Sequence, residues 1–372
     1  MKFSDSGQCA QPGARSSARG VSLMTRTVSI ARRPLLALAG YLLLAAQPAL
    51  AQADLNPLRV QIYPGAYTSM TVHVADEMGI FTRNKLKVEK IPAQSSSASV
   101  AALIGGSIDV VETGAEFVLA NQDKGIDIKY ISANEVKNYA TVIVSPKVPM
   151  PNLSKGYPAM MQDLKGLRVG VNAIGATLHL AALMMVSDAG LNKDDVQFVA
   201  TGTGANTFAA WKAGAVDAQL TFAPIPELLE ALNLAKPIMV LGETGPDILR
   251  FQGLYSGWVA RGDFIQKNKP VVDAYIKSIQ ESIEWIRNPA NNARLIDMAK
   301  KYSPVSGLSP AENDAVLQKV VTNYQRFWGT QISEETMDKW NDYSLRNGLI
   351  KRRVAFDKAV YSGAPKCTNE CR

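Results

Sequence analysis

Apolar and polar positions alternate over residues 58–63 (LRVQIY), the spacing of a half-buried strand, and Pro64-Gly65 break it. Beyond the break the period lengthens. Met70, Val74, Ala75 and Met78 recur at helical spacing, with Thr68 in place as a cap and Gly79 as a stop. A longer pattern then occurs twice. At an offset of 108 positions and without a gap, AALIGGSIDVVET (101–113) lies over AAWKAGAVDAQLT (209–221), matching Gly106 to Gly214, Asp109 to Asp217 and Thr113 to Thr221. The alignment extends backwards, placing VEKIPAQSSSASV (88–100) over VQFVATGTGANTF (196–208). Each copy predicts strand, small polar loop, helix, glycine stop and strand. Two similar α/β lobes are therefore expected, with a small-molecule site where their loops face each other.

The remaining elements follow from the same signals. Helices are expected at 97–103 and 116–123, and strands at 108–112, 126–133 and 140–145. Four prolines in PKVPMPNLSKGYPAM (146–160) disfavour helix and central strand, and mark an exposed excursion where the chain crosses to the second lobe. That lobe opens with DLKGLRVGVN and a strand at 167–171. Gly175-Ala176-Thr177 then lead into a helix that Gly190 ends, and the second repeat copy follows. After Pro224 and Pro226 come a helix to 234 and a strand at 237–241. The strand LYSGWVAR (254–261) returns the chain to lobe one. In VVDAYIKSIQESIEWIR, Ile276, Ile279, Ile283 and Ile286 share one helical face. Further helices near 290–301, 310–325 and 333–347 are expected to buttress lobe one. The division is thus 54–145 for the first part of lobe one, 146–253 for lobe two, and 254–372 for the return, the helices and a tail.

Charge changes the picture only once it is located. The formal net charge is +7, but residues 1–53 hold six of the 40 basic residues and one of the 33 acidic ones, leaving 34 against 32 in the rest. The basic excess belongs to the leader and makes no nucleic-acid footprint. That leader has a basic run ending at Arg32-Arg33, an apolar core at 35–46 that is too short to span a membrane, and small residues allowing cleavage after Ala51 or Ala53. It reads as a signal peptide, with Met24 a candidate start, and it predicts a soluble exported protein, periplasmic in a Gram-negative cell. Outside the leader only Cys367 and Cys371 remain. Four positions apart in an oxidising compartment, they favour a disulfide over free thiols, and without a nearby histidine they fall short of a metal ligand set.

Four segments carry a resemblance: VHVADEMGIFTRNKLKVEKI, AALIGGSIDVVETG, DLKGLRVGVNAIGATLHLAALMMVSDAGL and AAWKAGAVDAQLTFAP. In order and spacing the chain resembles the nitrate, sulfonate and taurine class of periplasmic solute-binding proteins of ABC importers. The resemblance implies an α/β two-lobe periplasmic-binding-protein fold, type II-like, with crossing strands and hinge closure around a ligand. It also implies a monomer without catalysis or cofactor, whose partners are a small-molecule solute and an inner-membrane ABC permease. Relatives that handle the thiamine pyrimidine, as enzymes or binding proteins, and a sensing module for a receptor are the alternatives. The cysteine-rich motif of the enzymes is missing here.

Loops at the carboxyl ends of strands in open α/β sheets form ligand crevices, and helix N-termini there can hold an anion without Lys or Arg. Candidate ligand contacts are therefore Tyr63, Ala66, Tyr67 and Thr68 after the first strand, Ser95 and Ser96 before the first repeat helix, and Thr113-Gly114 at its strand end. From lobe two come Gly175, Ala176, Thr177, Gly202, Thr221 and Phe222. Each also has a plain reading as a cap, turn or packing residue. Glu112 could meet an ammonium or make a structural hydrogen bond. His73 and His179 lie inside helices and read as packing or surface residues, while Arg250 and Arg261 flank the return crossing and could add a charge. No G-x-S-x-G, H-E-x-x-H or G-K-[ST] motif occurs. Hydroxyls, backbone donors and tyrosines suit a sulfonate or carboxylate.

Overall fold

A computed structural model describes residues 55–250, 252–368 and 371. The leader, its cleavage points and Met24 lie outside the described residues, and so does Cys9. No helix among the described residues is long and apolar enough to cross a membrane.

Ten strands build two sheets of identical plan. In chain order they are β1 (Asn56–Ile62), β2 (Leu86–Pro92), β3 (Val110–Gly114), β4 (Ile128–Glu135), β5 (Thr141–Val144), β6 (Arg168–Val171), β7 (Gln197–Ala200), β8 (Ala218–Thr221), β9 (Lys236–Val240) and β10 (Ser256–Arg261). The first sheet is ordered β2-β1-β3-β10-β4 and the second β7-β6-β8-β5-β9. In each, three parallel strands are followed by one antiparallel strand. That antiparallel strand comes from across the molecule: β5 follows β4 directly in sequence yet pairs in the second sheet, and β10 follows β9 yet pairs in the first. The strand expected at 140–145 is thus part of lobe two, and the chain crosses before the proline-rich stretch rather than within it. Crossover helices cover the sheets, so central strands such as β3 and β5 are buried along their whole length and read as apolar runs.

The repeated Gly-x-hydrophobic-Asp turn has a physical role that is the same in both lobes. Gly106 and Gly214 take positive φ (77° and 67°), reversing the chain after each helix at no steric cost. Asp109 then accepts from the backbone N–H of Arg59 at 3.0 Å and clamps its guanidinium at 3.0 and 2.6 Å. Asp217 treats Arg168 identically, at 3.0, 3.0 and 2.7 Å. Each turn is thereby pinned to the parallel strand beside the one that follows it, β1 for β3 and β6 for β8, which fixes where the following strand starts. Both guanidinium groups are about 40% exposed, so solvent screening limits the gain. Asp109→Asn and Asp217→Asn are each expected to cost about 1 kcal/mol in urea unfolding, Asp109 the more because it is the better buried.

Three local expectations change. Thr68 does not cap the first long helix; it sits in a 3-10 turn (Tyr67–Ser69) before helix Met70–Glu77, and its hydroxyl points elsewhere. A short helix, Ile80–Arg83, intervenes before β2. The C-terminal helices do not all buttress lobe one. Helix Lys269–Arg287 packs on Met70–Glu77, but helix Pro310–Tyr324 packs on Ile225–Ala231 of lobe two, where the Tyr324 hydroxyl donates to Glu227 Oε1 at 2.6 Å. Behind the cleft, Tyr139 on the β4–β5 crossing meets Phe222 at 5.2 Å, Tyr324 at 4.9 Å and Phe327 at 5.8 Å between ring centroids. In the tail, Cys367 and Cys371 are joined by a disulfide, and two short strands pair, β11 (Ile332–Ser333) with β12 (Lys366–Cys367).

Candidate ligand-binding cleft

The strand plan decides what gathers between the lobes. β1 and β3 end at the same edge of the first sheet and β6 and β8 at that of the second; a loop leads from β1, β6 and β8 to the next helix, while β3 runs straight into helix Ala115–Asp123. The space between holds a cavity of about 50 Å³ and is lined by residues of both lobes. From lobe one, Tyr63, Ala66, Thr68, Ser96, Thr113 and Gly114 line it, and from lobe two Thr177 and Phe222. These are expected positions. Others expected there do not line it. Tyr67 is fully buried against Trp328, their ring centroids 5.9 Å apart. Ser95 caps helix Ser96–Ile104, accepting from Ala98 N at 3.3 Å. The Gly175 N–H donates to His179 Nδ1 at 3.0 Å, Ala176 is buried at the start of helix Thr177–Asp188, and the Gly202 carbonyl accepts from Thr207. Thr221 pairs with Thr141 inside the second sheet.

The lining also includes Glu112, Glu135, Asn172, Leu178, Thr203, Tyr255 and Ser256. Of these, Glu112 and the loop Gly202-Thr203-Gly204, a tight cleft-lining loop, are legible in the sequence. Glu135 and Ser256 come together through register: β10 lies between β3 and β4, with Ser256 opposite Glu135 and Trp258 opposite Glu112. Both carboxyls therefore face one side of β10. The Thr68 hydroxyl lies 2.9 Å from Glu112 Oε1 and 2.7 Å from Glu135 Oε1. The Ser256 hydroxyl lies 2.7 Å from Glu112 Oε1 and 2.7 Å from Glu135 Oε2. Asn134 Nδ2 donates to Glu112 Oε1 at 2.9 Å. Burial pushes both carboxyls up in pKa, and for Glu135 the charge of Glu112 adds to it. A third carboxyl, Glu116, folds back over Gly114, and burial pushes it up to about 6. No Lys, Arg or His among the described residues lines the cleft. Arg250 pairs with Asp247, and Arg261 donates to the Leu103 carbonyl at 2.7 Å. His73 stacks on Tyr302, ring centroids 3.8 Å apart, away from the cleft. The acidic floor belongs to lobe one alone, since Leu220 stands where the repeat would put a counterpart of Glu112.

The lobes touch across the mouth of the cleft. Thr203 Oγ1 donates to the Pro64 carbonyl at 3.4 Å, and Thr177 Oγ1 lies 3.4 Å from Ser96 Oγ. The Tyr67 N–H donates to the Ala223 carbonyl at 3.2 Å. Gly65 and Gly204 approach so closely that a Cβ on Gly204 would lie 3.1 Å from both Gly65 Cα and the Pro64 carbonyl oxygen.

The pattern described as NMT1/THI5 like matches residues 67–293, well over half the chain. The chain belongs to the NMT1/THI5-like family. A taurine-binding periplasmic protein of Escherichia coli K12 is 25% identical over 215 residues, covering 54% of this chain and 60% of that protein, so the match spans less than two thirds of that relative. A Brucella abortus relative, described only as a binding protein, is 25% identical over 340 residues and covers 90% of this chain and 96% of its own length. The alkanesulfonate-binding protein SsuA of Xanthomonas axonopodis, solved with MOPS bound, superposes with a TM-score of 0.66 at 19% identity, covering 85% of this chain and all of that one. This family member has the periplasmic-binding-protein fold, and these three relatives are binding proteins.

Proposed function

We propose that this protein captures a small organic acid, a sulfonate or carboxylate, by closing its two lobes around it, and hands it to an inner-membrane ABC permease from the periplasm. The observation that carries the reading is the cleft itself. It lies at the carboxyl ends of β1, β3, β6 and β8, the N-termini of helices Ser96–Ile104 and Thr177–Asp188 face each other across it, and glycine turns meet at its mouth. Unpaired N–H groups and the positive end of the helix dipole favour an anion at such termini. Closure needs no chemistry: a ligand shifts the open–closed balance by its differential affinity for the closed state. Among the described residues the lining holds no Cys, Lys or His, so its only titrating groups near neutral pH are the carboxyls of its floor, which a bound cation would engage.

Isothermal titration with sulfonates, carboxylates and nitrate, paired with small-angle scattering, tests this. At least one class is expected to bind with Kd in the micromolar range or tighter and to shrink the radius of gyration. If every class fails to bind, the solute-binding reading is wrong.

A further inference from the structure

The floor of the cleft poses a counting problem. Four oxygen–oxygen contacts of 2.7 to 2.9 Å link Thr68 and Ser256 to Glu112 and Glu135. Two hydroxyls supply two hydrogens. With both carboxyls ionised, two of the four contacts would set lone pair against lone pair in a buried site, where an unpaired polar contact is costly. One proton on each carboxyl closes the ring. Glu135 Oε1–H donates to Thr68, Thr68 to Glu112 Oε1, Glu112 Oε1–H to Ser256, and Ser256 to Glu135 Oε2.

The groups facing this ring from every side leave it without a countercharge. From the turn after β1 comes the Tyr63 hydroxyl, which donates to the Glu112 carbonyl at 2.8 Å. The β4–β5 crossing brings Tyr139, and the approach to β10 brings Tyr255. Burial raises all three phenols, and the carboxylates Glu135, Glu116 and Glu112 raise Tyr255 further, so all three acids lie around it. Helix Ala115–Asp123 contributes Glu116. Among the described residues the lining contributes no cationic side chain to the ring. Two further observations point to a ligand. Glu112 lines the cleft, is 2% exposed, and its Oε2 has no hydrogen-bond partner among the described residues. Thr113 Oγ1, equally buried in the same lining, has none either. No set of three acidic, His or Cys side chains among the described residues is arranged to hold a metal ion, and an ammonium offers the N–H donors that these free acceptor atoms lack.

We infer that Glu112 and Glu135 form a proton-sharing carboxyl pair that receives the protonated nitrogen of the ligand and releases a proton to solvent in exchange. The ligand is then an amine-bearing organic acid, its acid group at the helix N-termini and its ammonium on the pair. This rests on the solute-binding reading and extends it. The exchange balances: an ammonium enters, one carboxylic acid becomes carboxylate, and one proton leaves. Ligand affinity is thereby tied to external pH, rising up to tenfold per unit while the pair still holds its proton.

The test has a ligand-free and a ligand-bound arm. Infrared difference spectra of ligand-free protein between pH 6 and pH 9 are expected to show a carboxylic-acid carbonyl band at pH 6 that Glu135→Gln and Glu112→Gln each diminish. A fully ionised pair at pH 6 overturns the proposal. Titration calorimetry in two buffers of different ionisation enthalpy then compares 2-aminoethanesulfonate with ethanesulfonate and 4-aminobutanoate with butanoate. The amine of at least one pair is expected to bind tenfold or more tightly than its partner, releasing close to one proton at pH 7. If neither Gln variant folds, the wild-type proton count decides. Acids that bind as well as their amine partners, or amines that bind without proton release, overturn this assignment alone. Failure of all four solutes together with the sulfonates, carboxylates and nitrate overturns the solute-binding reading and this assignment with it.

Discussion

Gly204→Val is expected to weaken binding of whichever solute the titrations identify by about 100-fold, roughly 2.7 kcal/mol, while leaving each lobe folded. The residue sits at φ 54° and ψ −123°, a region that side-chain-bearing residues rarely enter, and an added Cβ would press on the Pro64 carbonyl and Gly65 of the opposite lobe. Those contacts exist only when the lobes are together. The substitution therefore raises the energy of the closed state, and the ligand must make up the difference from its own affinity. Backbone strain is a separate effect and has its own control. Gly214 also has positive φ, but an added Cβ there meets nothing within 4 Å. Gly214→Ala should lower stability in urea without changing affinity. Scattering with and without ligand completes the experiment: if Gly204→Val still contracts and binds like wild type, the mouth contact does not govern closure.

The second large effect is on pH. Stability of the ligand-free protein should fall as pH rises above about 6.5, by about 1 to 2 kcal/mol up to pH 8.5. Burial raises Glu112 and Glu135 above the ordinary glutamate value of about 4.3, so the native state holds protons that the unfolded chain has already lost. Stability is then lost as pH climbs towards the folded values. His73 works in the opposite direction, because burial lowers it to about 4 and neutral histidine is favoured in the native state. Its contribution grows as pH rises from about 4 and is complete above the unfolded value of about 6.5. Only the alkaline arm isolates the carboxyl pair. Urea midpoints at pH 6.5, 7.5 and 8.5 should decline for wild type and flatten for Glu135→Gln. An alkaline arm that is flat or rising in wild type would rule out raised carboxyls at the cleft floor.

Much of the architecture was legible because it is local. Strand alternation, the glycine stops, and the repeat that sets Asp109 over Asp217 all act within about ten residues of their partners or recur at one fixed offset. The ends of β1, β3, β6 and β8 could likewise be placed at a common edge. What was not legible depends on exchange between the halves. Ser256 meets Glu135 across 121 positions and Glu112 across 144. No periodicity signals such a meeting, since β10 could be assigned to the first sheet without fixing which strands flank it or in what register. Thr68 was misjudged for a related reason. A threonine before an apolar helix suits a cap, and its true partners come from β3 and β4. One signal was available: Glu112 and Glu135 each lie in or near a strand whose flanking positions are buried, and an acid in a buried strand calls for a partner.

The strand exchange between sheets also constrains how such a molecule can be taken apart. A fragment ending after β9 would carry seven helices' worth of apolar surface and a first sheet lacking its fourth strand, with β3 and β4 left as unpaired edges around the gap. A fragment beginning at β5 would have a complete second sheet and a β10 with nothing to lie against. The lobes are two sheets but not separable modules. Cutting either crossing leaves one lobe borrowing a strand from a chain no longer attached to it, so unfolding of the pair is expected to be a single cooperative event, and an evolutionary swap of one lobe would have to bring the other's strand with it.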